Sequence, residues 1–273
     1  MLKNYNNESN SEQVIHFLHG ISLTPCSYKR MLDSLCNKSM IKISLLRPLW
    51  ATSDMPNFKN WDIFLNDYIK SIKNETNIIG VGHSIGGNLL LKASILNPKK
   101  FKKIILLDPT FLPPYMIRVW RIVSLLNMQA FFLPLINLAK NKKMEYSSID
   151  KMYNSYRKNN FFSDFSDDIL EEFVESLVIK KDDKFKLIYP SDWDAQIYKT
   201  GLANDMFIWN NIQNIKIETL IIRAECSNVF FKKTADLINK KNKNIKIKTI
   251  SKADHLFPIN KSSQTIDLIH GFI

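Results

Sequence analysis

The chain has 273 residues, 45% of them hydrophobic and 11% aromatic, with a formal charge of +12. That length and apolar content allow one sizeable core and exclude a disordered or collagen-like chain, apart from an Asn- and Ser-rich start over about the first dozen residues. The charge comes from scattered lysines such as Lys180-Lys181 and Lys240-Lys241, which read as solvated faces; no nucleic-acid-binding module accompanies them, and attraction to anionic substrates or membrane surfaces stays open.

Short apolar runs at 14–18, 41–45, 78–81, 104–107, 220–222 and 245–250 read as strands. Helical patterns fall near 27–37, 60–73, 87–96, 229–240 and 262–272. Alternation of the two implies an α/β fold: a mostly parallel sheet of about six strands with helices on both faces. Phe58, Trp61, Phe64, Leu65 and Tyr68 recur at helical spacing and read as core. Residues 110–210 break the rhythm and read as several helices rich in aromatics and Met. The expected organisation is a core in two parts, 1–109 and 211–273, with 110–210 inserted as a helical lid above the carboxyl edge of the sheet, where ligand crevices of open α/β sheets lie.

The stretch Gly80-Val81-Gly82-His83-Ser84-Ile85-Gly86-Gly87 joins the third strand to a helix. Strand, tight Gly-x-Ser-x-Gly turn and helix form the context of a nucleophile elbow. Gly82 and Gly86 flank Ser84 because a β-carbon at either position would strike neighbouring backbone. Ser84 is the candidate nucleophile, and the helix after it aims free N–H groups at the reacting oxygen.

His255, in Asp254-His255-Leu256-Phe257-Pro258 after the last strand, is the candidate general base. His19-Gly20 follows the first strand, and the N–H groups of Ile21 and Ile85 are assigned to an oxyanion hole. His83 and His16 read as structural, His270 sits in the last helix, and Asp254 should diverge from the His255 imidazole. Pocket candidates are His19, which also reads as a brace for the oxyanion loop, Trp50, which either lines the pocket or packs its loop, and Met116 and Trp120 from the inserted segment.

With these motifs in order, the chain resembles the α/β-hydrolase superfamily over nearly its whole length. The resemblance implies a Ser, acid, His order along the chain. It departs in three respects. Only 13 residues precede Val14, so the usual opening hairpin is short or absent. Arg47-Pro48-Leu49-Trp50 stands where relatives carry a Gly-rich loop. The usual position of the acid, after the fifth strand, holds Ser227 with Asn228 beside it. Haloalkane dehalogenase-like branches carry their acid after the fourth strand instead, which makes Asp108 the candidate here; Glu225 is the alternative, and a weak or absent acid stays open.

The expected function is a serine hydrolase cleaving an ester-type bond of a small apolar acyl substrate through an acyl-enzyme, chemistry that needs neither metal nor cofactor. Rival readings are an acyltransferase and a non-catalytic ligand-binding protein on the same fold. Three cysteines, Cys26, Cys36 and Cys226, lack metal-ligand spacing and argue against a disulfide framework. No basic-then-apolar leader is present, and the most apolar region, 116–139, carries Arg118, Arg121 and Pro134. The expectation is a cytoplasmic monomer or homodimer without stable membrane insertion and without a nucleic-acid partner.

Overall fold

A computed structural model describes residues 1–5, 13–52, 54–201 and 205–273. The strands are β1 (Leu2–Asn4), β2 (Val14–Leu18), β3 (Met40–Ser44), β4 (Ile78–His83), β5 (Phe101–Leu107), β6 (Glu145–Tyr146), β7 (Val178–Lys181), β8 (Lys184–Leu187), β9 (Glu218–Ala224) and β10 (Ile245–Ile250). The helices are α1 (Lys29–Cys36), α2 (Asp62–Ser71), α3 (Ile85–Leu96), α4 (Pro114–Leu125), α5 (Gln129–Phe132), α6 (Leu135–Lys140), α7 (Ile149–Arg157), α8 (Asp167–Ser176), α9 (Ser191–Thr200), α10 (Met206–Asn211), α11 (Lys232–Lys241), α12 (Phe257–Asn260) and α13 (Ser262–His270).

The main sheet runs β1-β3-β2-β4-β5-β9-β10. Every pair in it is parallel except β1 with β3. Strand side chains alternate between two cores, as the pleat requires. Ile104 and Leu106 of β5 join the core built with α2, α3 and α9–α11, whereas Ile105 and Leu107 join the opposite one with α1, α7, α8, α12 and α13. Phe58, Trp61, Phe64, Leu65 and Tyr68 are all buried in the first of these cores.

Two expectations are corrected. The sheet has seven strands, one more than the apolar runs indicate. The extra strand, Leu2-Lys3-Asn4, is too short and polar to carry a hydrophobic signal; it is held by backbone pairing to Ser44, Ile43 and Lys42 of β3. Asn4 is therefore an edge-strand residue, while the rest of the polar start, 6–12, lies outside the described residues. The segment between β5 and β9 is not purely helical: it also folds a small antiparallel sheet, β6-β8-β7. Its hairpin turn is Asp182-Asp183 at φ 51° and 57°, a left-handed pair that suits the twist of a two-residue hairpin. Among the described residues no helix is long and apolar enough to cross a membrane.

Candidate active site

The elbow between β4 and α3 is as cramped as its glycines imply. A β-carbon on Gly82 would sit 2.6 Å from the Gly86 carbonyl oxygen, and one on Gly86 would sit 2.3 Å from the Leu18 carbonyl oxygen. The absence of both lets α3 pack directly on the ends of β2 and β4. Ser84 turns the corner at φ 56°, ψ −121°, a strained conformation that the surrounding packing must hold. Its side chain faces the loop after β10.

There the His255 Nε2 lies 2.9 Å from Ser84 Oγ, and His255 Nδ1 lies 2.7 Å from Asp108 Oδ2. Asp108 ends β5 at φ 39°, fully buried. The left-handed turn swings its carboxylate toward β9, where Ala224 N–H donates to Oδ1 at 3.0 Å. Ser227 O–H donates to Oδ2 at 2.7 Å while its oxygen accepts from the amides of Val229 and Phe230. The serine at the position relatives reserve for an acid thus supports an acid delivered from the neighbouring strand. Asp108 can only accept, so the His255 proton sits on Nδ1 and leaves Nε2 as an acceptor toward the Ser84 hydroxyl; this tautomer is inferred from the hydrogen-bond pattern. Thr110 Oγ1 adds a contact to Ser84 Oγ at 3.2 Å.

A second polar chain runs beneath the first. Gly20 N–H donates to the Tyr28 hydroxyl at 2.9 Å, Tyr28 donates to His83 Nδ1 at 2.6 Å, and His83 Nε2 donates to the His255 carbonyl at 2.9 Å. One neutral tautomer of His83 satisfies every link. Burial, reinforced by the nearby His255, pushes the His83 pKa well below its usual value, and burial raises that of Tyr28. The chain ties the loop after β2, the elbow and the His255 loop to one another. Nothing in the local sequence marks Tyr28 or Thr110; both enter the site only through tertiary contact.

The fold is matched by known proteins. A family model described as "alpha/beta hydrolase fold" matches residues 51–262. The chain is an α/β hydrolase. No curated protein sequence matches it significantly. Among solved structures, it is similar to E-2-(acetamidomethylene)succinate hydrolase at 16% identity, covering 99% of this chain and 93% of that one with a TM-score of 0.75. It is also similar to MenH from S. aureus at 19% identity, covering 99% and 97% with a TM-score of 0.71. A thioesterase domain from the curacin biosynthetic pathway is similar at 14% identity, covering 99% of both chains with a TM-score of 0.71. At such identities the structural likeness speaks for the fold alone.

In this α/β hydrolase the remaining candidates take the following positions. The Ile85 N–H opens α3 and is one of the first-turn donors a helix cannot satisfy itself. Ile21 follows Gly20 on the loop after β2, beside the elbow: a β-carbon on Gly20 would lie 3.0 Å from His83 Nδ1. Glu225 is exposed, and its Oε2 accepts from Lys252 N–H at 2.8 Å and Ser251 O–H at 2.9 Å, bonds that hold its pKa below the usual carboxylate value. Among the described residues no hydrogen bond or ion pair joins it to His255; the carboxylate that meets the ring is that of Asp108, not Glu225. Asp254 does diverge, capping the Leu256 amide at 2.8 Å.

His19 is fully buried and does not line an open pocket: Nδ1 donates to the Gly20 carbonyl at 2.8 Å and Nε2 accepts from Leu46 N–H at 3.1 Å. Burial lowers its pKa to about 4, so the ring is a neutral brace for the loop. Trp50 packs its own loop, its indole donating to the Leu45 carbonyl at 3.0 Å with the Arg47 guanidinium 5.5 Å from the ring centroid. Met116 and Trp120 are half-buried on α4, and the Trp120 indole N–H is buried without a hydrogen-bond partner among the described residues.

Proposed function

We propose that the chain is a serine hydrolase that cleaves an ester-type bond of a small apolar acyl substrate through an acyl-enzyme. The observation that carries this reading is the continuous chain Ser84 Oγ, His255 Nε2, His255 Nδ1, Asp108 Oδ2, with links of 2.9 and 2.7 Å. Ser84 Oγ attacks the carbonyl carbon while its proton passes to His255 Nε2. The carbonyl oxygen takes the negative charge and is held by the N–H groups of Ile21 and Ile85. The tetrahedral intermediate collapses, His255 returns the proton to the departing alcohol, and the acyl group stays on Ser84. Water then gives its proton to His255 and attacks the acyl carbon, which releases the acid and restores the serine. Asp108 keeps the imidazole in the required tautomer.

Met116 and Trp120 on α4 are the residues we assign to the acyl side of the pocket. Ser84 is only 4% exposed, and we assign the 110–210 segment as the lid whose movement admits substrate. A fluorophosphonate probe tests the reading: it should label the folded protein, and Ser84→Ala should abolish the label. Folded protein that resists labelling would favour the ligand-binding alternative. Release of a transacylated product in the presence of an added alcohol, at the expense of free acid, would favour the acyltransferase.

A further inference from the structure

Helices α4, α5 and α6 turn a broad apolar surface to solvent. Leu125 is 81% exposed, Phe131 76% and Leu138 65%. Tyr115, Val119 and Ile122 of α4 and Leu126 at its C-cap, spaced four, three and four apart, form one exposed stripe. Ile117, on the far side of the same helix, is buried in the body's core, and Val123, beside the stripe, is buried as well. A helix that is apolar on both sides needs cover on both. Contiguous exposed patches of this kind mark interaction surfaces.

The charge around the patch selects the partner. From Pro109 to Met144 the chain has no Asp or Glu, but it has Arg118, Arg121, Lys140, Lys142 and Lys143. Lys142 is engaged by Asp194. Arg118 and Arg121 are exposed and, among the described residues, have no acidic partner. On the helical wheel Arg118 borders the exposed stripe and Arg121 lies further round on the same side, past Leu125; a long side chain there can reach out to an anion while its stem lies on apolar surface. From the body, Lys233 brings its ammonium to 4.7 Å from the centroid of the Tyr115 ring. Glu145, the first acid after the segment, is held by Lys184 and Lys186. A second copy of the chain is a poor occupant, because a two-fold contact through this patch sets cations against cations.

We propose that the α4–α6 face docks the protein reversibly onto an anionic lipid bilayer. The Leu, Ile and Phe side chains enter the boundary between headgroups and acyl chains, and Arg118 and Arg121 pair with lipid phosphates. Apolar burial and surface electrostatics are the two components by which interfacial helices bind. This inference does not depend on the catalytic reading, because docking requires no turnover.

The test is co-sedimentation of the full chain with sucrose-loaded vesicles, either phosphatidylcholine alone or an equimolar mixture with phosphatidylglycerol. The parent protein should sediment with the anionic vesicles, less so at high salt, and should stay in solution with the neutral ones. Leu125→Ser/Phe131→Ser leaves the net charge unchanged, and Arg118→Glu/Arg121→Glu reverses the flank; each should weaken binding at least about tenfold. All four positions are exposed, and circular dichroism checks that the variants fold. Ser84→Ala should bind like the parent. No sedimentation with anionic vesicles would overturn the proposal. So would full retention of binding by Leu125→Ser/Phe131→Ser, which would assign it to diffuse positive charge. A dimer in vesicle-free solution that Phe131→Ser dissolves would give the face to a second copy, and a soluble acidic protein that competes for the unlipidated face at equal affinity would give it to that partner; either overturns it.

Discussion

Replacing Asp108 by Asn tests the site at its most informative atom. The native carboxylate accepts from Ala224 N–H, Ser227 O–H and His255 Nδ1–H, three donors and no acceptor. An Asn side chain brings one oxygen and one NH₂ group. If the oxygen stays with Ala224, the NH₂ group faces Ser227 and His255. The Ser227 oxygen already accepts from two amides, so its hydroxyl cannot readily reverse. The NH₂ group is then satisfied best by a deprotonated Nδ1, which moves the imidazole proton to Nε2. That proton points at Ser84 Oγ, 2.9 Å away, and the ring can no longer accept from the serine. A wrong-tautomer histidine costs about 10⁴ in turnover in the worked serine-protease example, and the same order is expected here. The disturbed buried hydrogen bonds should cost about 1–3 kcal/mol of stability.

The assay is turnover of a short-chain nitrophenyl ester, with urea unfolding measured in parallel. Glu225→Gln is the matched control; its carboxylate is on the surface and should change turnover by less than about twofold. A folded Asp108→Asn protein with parental turnover would refute the tautomer argument and remove Asp108 from the mechanism.

Other consequences are equally direct. Gly86→Ala should destabilise the fold by about 1–3 kcal/mol or more and reduce turnover with it, since relief of the clash with the Leu18 carbonyl moves the loop that carries Ile21; thermal melting and ester turnover check both. Tyr28→Phe should leave Gly20 N–H and His83 Nδ1 unpaired in a buried site, lowering the urea midpoint by an amount equivalent to about 1–3 kcal/mol. Stability should fall as pH drops below 6.5. The unfolded chain protonates His19 near that usual value and the folded one only at about 4, so the unfolded state binds more protons between the two. For His19 this amounts to about 2 kcal/mol between pH 7 and pH 5, flattening below its folded value. His16, lowered to about 4 chiefly by burial, acts in the same direction, and equal urea midpoints at the two pH values would contradict both assignments.

Much of this architecture is legible before folding because its signals are local. Six apolar runs mark six of the seven main strands: β2, β4 and β9 are covered on both faces and nearly continuously apolar, whereas the edge strand β10 alternates Ile with exposed Lys. The elbow is legible because Gly82 and Gly86 answer to backbone only a few residues away or at the adjacent strand end. Strand β1 escapes notice because its pairing uses backbone, which carries no side-chain signature. The β7–β8 hairpin is obscured by its lysines, although Asp182-Asp183 between two short runs is a turn signal that could have revealed it. His19 and Trp50 read as pocket residues because of where they fall in the chain, and only tertiary contacts reveal that the ring of one and the indole of the other are engaged by backbone.

The sequence by itself determined the alternation of the core strands β2–β5, β9 and β10 with their helices, the sharp corner that presents Ser84, and the family. Each is set by residue types at short spacing. Only the tertiary structure shows which carboxylate meets the His255 ring, because Asp108 and Glu225 both follow a strand. The left-handed turn at Asp108 aims its oxygens at the amide of Ala224, the hydroxyl of Ser227 and the ring of His255, residues 116, 119 and 147 positions away. Glu225 turns outward to the loop at Ser251 and Lys252. The direction of a side chain at the end of a strand depends on which strand pairs beside it, and that is a property of the assembled sheet.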